Sequence, residues 1–276
     1  MNELYLAPTT LMHTPPLEFL MAAEKAGYDG VGLRLYRSPN LPYFPVVDDD
    51  ALIDAMKAIL ARSKMRVLDL LSFYMLPTTD LADMGKALAV GATFGARYAI
   101  VQGNDPDWTR MRRNFMAFCD RAADNGMVAA LEFMPARTLS TLELALRLIE
   151  ESGRSNAIIC IDPLHLTRSG GTPAALAKVD RKLLPYAQWT DGIVAPGEAD
   201  PAKIGRAEMG PGTRALPGEG NLPLAAILDA LPAGLPLSVE LMPPQDAPVV
   251  PEVWAQHAFD VTRRYMSARA REAAPG

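Results

Sequence analysis

Four apolar runs in the second half of the chain each stop at a side chain bearing a metal-type oxygen. They are Ala129-Ala130-Leu131-Glu132, Ile158-Ile159-Cys160-Ile161-Asp162, Pro185-Tyr186-Ala187-Gln188 and Leu237-Ser238-Val239-Glu240. A short apolar run of this kind reads as a parallel strand buried on both faces, with its last polar side chain entering a pocket. Helix-length segments separate the runs. If the sheet closes into a barrel, all four polar side chains converge on one mouth.

The rest of the chain keeps the same rhythm. Strand-like segments at Leu4–Ala7, Val31–Leu35, Arg66–Leu71 and Tyr98–Val101 alternate with helix-like ones at 15–27, 49–63, 81–95 and 109–125. Thr14 is placed to cap the first helix and Gly27 to end it. Another helix is expected from Leu139 to Glu151 and a last one from Val253 to Ala270, followed by a polar tail over 271–276. Eight such units predict a single (β/α)8 TIM barrel spanning 1–276. A length of 276 residues is close to the roughly 250 typical of that fold. A doubly wound sheet would give the same alternation, but no GxGxxG follows the first strand to support it.

Composition narrows the function classes. The 49% apolar and 21% charged residues are those of an ordinary globular protein, and the net charge of -5 speaks against a nucleic-acid partner. The N-terminus shows no leader pattern and no membrane span is visible, so a cytoplasmic location is expected. Cys119 and Cys160 lie in apolar contexts without CxxC spacing and read as buried free thiols. From Gly192 to Gly220 the rhythm breaks in a long Gly- and Pro-rich stretch. Its place after the seventh strand puts it on the active face, as a substrate-covering loop in which Arg206 or Arg214 would neutralise an anionic group.

The residue types point to chemistry. Glu132, Asp162 and Glu240 with the amide of Gln188 form an all-oxygen set that suits one divalent cation, Mg2+ or Mn2+. His165, three residues after Asp162 at the pocket rim, is read as an acid/base group, with a metal ligand or a plain loop histidine as the alternatives. His13 has only its position to recommend it, and His257, within the last helix, is read as structural or exposed. Arg34, near the end of the second strand, needs an anion, either a substrate carboxylate or Asp69. Asn104, in the stretch Gln102-Gly103-Asn104-Asp105, and Trp189, next to Gln188, are expected to border the substrate.

These segments resemble the xylose-isomerase-like TIM barrels. The resemblance is carried by Leu131-Glu132-Phe133-Met134-Pro135, Cys160-Ile161-Asp162-Pro163-Leu164-His165, Ala187-Gln188-Trp189-Thr190-Asp191-Gly192, Leu216-Pro217-Gly218-Glu219-Gly220 and Ser238-Val239-Glu240. It implies a metal held by Glu132, Asp162, Gln188 and Glu240. It also implies an isomerase or epimerase acting on a sugar or other polyhydroxylated keto substrate, with Glu132 and Glu240 as bases. Gln188 stands where sugar epimerases carry His, and a Gln there is also found among 3-dehydroshikimate dehydratases of the same superfamily, so a lyase is the alternative outcome. A non-catalytic metal-binding barrel is a lesser alternative. An endonuclease-IV-type site would need more histidines than the three present. The resemblance further implies a homo-dimer or tetramer with a small-molecule substrate.

Overall fold

A computed structural model describes residues 2–37, 41–195, 213–242 and 249–272. In chain order the elements are β1 Leu4–Leu6, α1 Pro16–Ala26, β2 Gly30–Leu33, α2 Asp50–Ser63, β3 Arg66–Met75, α3 Leu81–Thr93, β4 Tyr98–Gly103, α4 Trp108–Asp124 and β5 Val128–Leu131. They continue with α5 Leu142–Ser152, β6 Ala157–Ile159, α6 Pro163–Arg168, α7 Pro173–Leu176, β7 Ala187–Trp189, β8 Asp191–Gly192, β9 Arg214–Ala215, α8 Leu224–Ala230, β10 Leu237–Val239 and α9 Pro251–Glu272. Eight strands pair in parallel in the order β6-β5-β4-β3-β2-β1-β10-β7. The two outer strands meet where Ile161 bridges Ala187 and the Gln188 amide donates to the Ile161 carbonyl at 2.9 Å. The fold is a (β/α)8 barrel.

Alternation along the strands sorts the side chains into two layers. Ala129 and Leu131, Ile159 and Ile161, Ala187 and Trp189, and Leu237 and Val239 face outward into the layer beneath the helices. Tyr5, Leu68, Ile100, Ala130, Ile158, Cys160 and Tyr186 fill the interior, where Tyr98 stacks on Tyr186 at 4.4 Å. Continuing that alternation by two residues from Ala130, Cys160, Tyr186 and Ser238 carries Glu132, Asp162, Gln188 and Glu240 onto the inner face. The sequence pattern works because a period of two leaves these four no other side to occupy.

Several expected boundaries shift. α1 begins at Pro16, so Thr14 is not its cap; Pro15 holds that position without a side-chain bond, while Gly27 does end the helix at φ 86°. Arg271 and Glu272 belong to α9 rather than to a polar tail, and 273–276 lie outside the described residues. The long stretch after β7 contains a short antiparallel ribbon, with Asp191 opposite Ala215 and Gly192 opposite Arg214. Arg206 lies outside the described residues. Both cysteines are buried and free, as expected. Among the described residues no helix is long and apolar enough to cross a membrane.

Two interior positions yield predictions. A Cβ on Gly30 would sit 2.0 Å from the Arg66 carbonyl oxygen, a backbone atom held in the β2–β3 ladder. Gly30→Ala is expected to cost about 3 kcal/mol in denaturant unfolding, through forced separation of that pair. Asp69 is fully buried and neither of its oxygens has a hydrogen-bond partner among the described residues, so it does not pair with Arg34. Burial, aided by the charge of Glu240, pushes its pKa from 3.8 to about 8. The folded protein therefore holds a proton that the unfolded chain releases above about pH 4, and stability falls as pH rises from there towards 8. Urea unfolding should show wild type losing about 1.4 kcal/mol per pH unit relative to Asp69→Asn between pH 5 and 7. Parallel pH profiles for the two proteins would refute it.

Candidate metal centre and active site

Each polar side chain at the mouth arrives by a definite local device. Asp162 ends the β6 segment and caps α6, its Oδ1 accepting from the amides of Leu164 at 2.7 Å and His165 at 3.1 Å. Pro163 in the first turn favours the helix start there. His165 consequently lies on a helix rather than in a loop, and only 2% of it is exposed. Its Nε2 stands 3.6 Å from Glu132 Oε1 and 3.9 Å from Asp162 Oδ2. Glu132 is oriented from the neighbouring strand, where Gln102 Nε2 donates to its Oε2 at 2.6 Å. Glu240 is oriented from the loop after β1, where Thr9 Oγ1 donates to its Oε1 at 2.9 Å.

Arg214 ties the cluster together. Its Nη1 donates to Asp162 Oδ2 at 2.6 Å, and its Nη2 makes an ion pair with Glu240 Oε2 at 3.1 Å without hydrogen-bond alignment. The same Nη2 lies 3.4 Å from His165 Nε2. The guanidinium is buried to within 5% of its side chain, so this arginine serves inside the cluster and is not a free cation on a covering loop.

The electrostatics follow. Burial raises Glu132 well above the ordinary carboxylate range, and repulsion from Glu240 and Asp162 adds to it. Burial also raises Glu240, against the pull of Arg214. For Asp162 burial is outweighed by Arg214 and the hydrogen bonds it receives, which hold it at about 2. Burial pushes His165 down to about 4, with Asp162 opposing, so its imidazole is neutral.

Glu132, Asp162 and His165 each offer a ligand atom within 4.8 Å of the others, which is the grouping that one cation can draw together. Gln188, fully buried on the inner face of β7, has neither Oε1 nor Nε2 hydrogen-bonded. An unpaired buried amide is costly unless something else binds it. These residues therefore fit a divalent cation. That grouping includes the nitrogen of His165, while Glu240 is engaged by Thr9 and Arg214. This grouping offers one nitrogen beside its oxygens.

Other expected residues fall elsewhere. Trp189 faces away from the mouth, since it follows the inward-facing Gln188, and it packs towards Tyr265 of α9. Asn104 Oδ1 accepts from the Thr138 amide at 3.3 Å and so joins two mouth loops. His13 and His257 are exposed. Arg34 lies at the mouth, mostly buried, and its Nη1 has no hydrogen-bond partner among the described residues. Two residues with no individual role in the sequence pattern also matter: Gln102, in the rim stretch and two residues after Ile100 on the inner face, and Asp191. The buried carboxylate of Asp191 accepts from the amides of Gly192, Gly218, Gly220 and Leu222 at 2.8–3.2 Å. It clasps the returning chain that presents Arg214.

The family pattern described as "Xylose isomerase-like TIM barrel" matches residues 20–265. The chain belongs to this family. No curated protein matches it in sequence. Among solved structures, this barrel superposes on a xylose isomerase-like TIM barrel/4-hydroxyphenylpyruvate dioxygenase fusion protein with a TM-score of 0.76 at 15% identity. That match covers 100% of this chain but 45% of the fusion protein, so the chain spans less than half of that relative. The probable 3-DHS dehydratase AsbF from Bacillus anthracis gives a TM-score of 0.74 at 16% identity, over 95% of this chain and 99% of that one. The 3-keto-D-glucoside 4-epimerase YcjR from E. coli gives 0.71 at 16% identity, over 97% and 100%. At such identities these neighbours establish the xylose isomerase-like fold alone.

The Asp191 clasp is directly testable. Asp191→Ala strips four amides of their acceptor and is expected to cost about 3 kcal/mol in urea unfolding. Asp191→Asn, which keeps one oxygen, should cost less. Equal stability of Asp191→Ala and wild type would show that the loop return is held by something else.

Proposed function

We propose that this xylose isomerase-like barrel is a divalent-metal-dependent enzyme that removes a proton from the carbon beside a carbonyl in a small polyhydroxylated keto substrate, with isomerisation or epimerisation as the outcome. The observation that carries the reading is the pair Glu132 and Glu240. These two buried carboxylates rise from different strands, are separately oriented by Gln102 and Thr9, and flank one guanidinium and one neutral imidazole. Oriented carboxylates on two sides of a pocket are what proton removal and return at adjacent positions require.

Glu132, Asp162, His165 and Gln188 would hold the cation, with Glu240 beside them; Mg2+ and Mn2+ suit the oxygens, and the imidazole admits other first-row ions. When bound, such an ion stabilises negative charge developing on a carbonyl oxygen. The chain's own residues supply the remainder. One carboxylate accepts the proton, and the electron pair left behind moves onto the carbonyl oxygen. The second carboxylate, or the same one, delivers a proton to the neighbouring carbon or to the other face. Arg214 faces Asp162 and Glu240 and keeps negative charge tolerable in a buried mouth.

Dehydration is the second reading, favoured by Gln188, which stands where the resemblance places His in sugar epimerases and Gln in certain dehydratases. In that outcome the carboxylate that took the α-proton, Glu132 or Glu240, both of which burial makes readier to hold a proton, passes it to the β-hydroxyl, which leaves as water, and no proton returns to carbon.

The test pairs two assays in Mg2+ or Mn2+: ketoses in deuterated water, read for exchange at the α-carbon, and 3-dehydroshikimate, read for protocatechuate by ultraviolet absorbance. Exchange that a chelator abolishes supports the first reading, and chelator-sensitive protocatechuate supports the second. Silence in both sinks the catalytic reading. Glu132→Gln and Glu240→Gln are each expected to lower activity by at least about 100-fold while leaving far-ultraviolet circular dichroism unchanged. Full activity in either variant refutes the paired-carboxylate mechanism.

A further inference from the structure

One cation at the mouth has no anion among the described residues. Arg34 follows β2 directly, and its Nη1 is buried without a hydrogen-bond partner among the described residues. Arg214, by contrast, takes both Asp162 and Glu240. Asp69, the carboxyl nearest in strand order, is unpartnered too. The acidic groups whose fields reach Arg34 are Tyr74 and Glu240, and neither forms an ion pair with it among the described residues. A guanidinium keeps its charge under any such burial, so the site stays positive. A buried unpaired cation is destabilising, and proteins keep one chiefly where a ligand will pair it.

Arg34 also lines a cleft of about 40 Å³ between the loops that follow β1 and β2, with Leu11, Phe19, Leu33 and Phe44 as apolar walls. It is the only charged residue on that lining among the described residues. The volume has room for roughly three waters, which is the size of one carboxylate group. Two links run from the cleft towards Glu240: Thr9, bonded to Glu240, belongs to the same loop as Pro8 and Leu11 of the lining, and the charges of Arg34 and Glu240 act on each other.

We propose that the substrate carries a carboxylate and that Arg34 receives it in this cleft, leaving the carbonyl end over Glu132 and Glu240. The substrate class is then small hydroxylated keto acids rather than neutral sugars. This inference rests on the catalytic reading above for the position of the carbonyl, but not for the anion site itself. A planar carboxylate meets a guanidinium edge through two parallel N–H bonds. A neutral polyol would leave the cation unpaired, so discrimination against it arises without any clash.

Calorimetric binding to the metal-free protein tests the assignment with two matched pairs, hydroxypyruvate against dihydroxyacetone and 3-dehydroshikimate against its methyl ester. At least one acid is expected to bind about 30-fold more tightly than its neutral partner. Arg34→Gln should erase that preference and Arg34→Lys should keep part of it. Thermal melting separates binding from scaffolding: Arg34→Gln, which removes an unpaired charge, should melt at or above wild type. No acid preference in wild type, its survival in Arg34→Gln, or a Tm drop of several degrees in Arg34→Gln would each overturn the proposal. Carboxylate preference with no α-proton exchange would sink the catalytic reading and leave Arg34 assigned. Exchange on neutral ketoses without carboxylate preference would do the reverse.

Discussion

The mouth of this barrel depends on the guanidinium of Arg214 lying between Asp162 and Glu240. Three carboxylates gathered in a buried pocket repel one another and lose their hydration, and a fold that imposes this must compensate locally. Arg214 does so for two of them. Its own position depends on the β8–β9 ribbon, and the ribbon's return depends on Asp191 gathering four amides. Asp162 adds a second constraint by using one oxygen to cap α6, which sets the direction from which His165 approaches Glu132. The site is a chain of dependent placements rather than a set of independent ligands.

That dependence explains what could be read from the residues alone. Glu132, Asp162, Gln188 and Glu240 were legible because strand alternation fixes parity, and each stands two residues beyond an interior residue of its run. Trp189 was misread although the same rule places it outside; adjacency in sequence is opposition across a strand. Arg214 was recognised as an active-face cation, but its pairing with Asp162 spans 52 residues and follows from the path of the returning loop, which no local pattern encodes. His165 was legible as a rim residue, but the helix that carries it was not, because six-residue helices carry little periodic signal. The pairing of Arg34 with Asp69 failed for a reason of depth: Asp69 Oδ1 lies where a Cβ on Gly32 would fall, two residues before Arg34 in sequence and so lower in the barrel.

Several interior groups of this xylose isomerase-like barrel are unsatisfied, and their distribution bears on function. Gln188 leaves both amide atoms without a partner, Arg34 leaves Nη1, and His165 leaves Nδ1. All belong to inner-face or mouth positions at the C-terminal ends of strands, where barrels of this class build their active sites. Each is destabilising in isolation, and an apolar residue of similar volume at any of them would relieve the scaffold. A barrel maintained only as a scaffold has no use for a buried unpaired amide, a buried unpaired guanidinium nitrogen and an imidazole set against buried carboxylates. This weighs against the non-catalytic reading, because the unsatisfied groups are complementary to one another's missing partners: a cation for Gln188 and the carboxylates, an anion for Arg34. Under the proposed reading, a small molecule with a carboxylate at one end and a carbonyl at the other would supply the second while presenting its reactive carbon to Glu132 and Glu240.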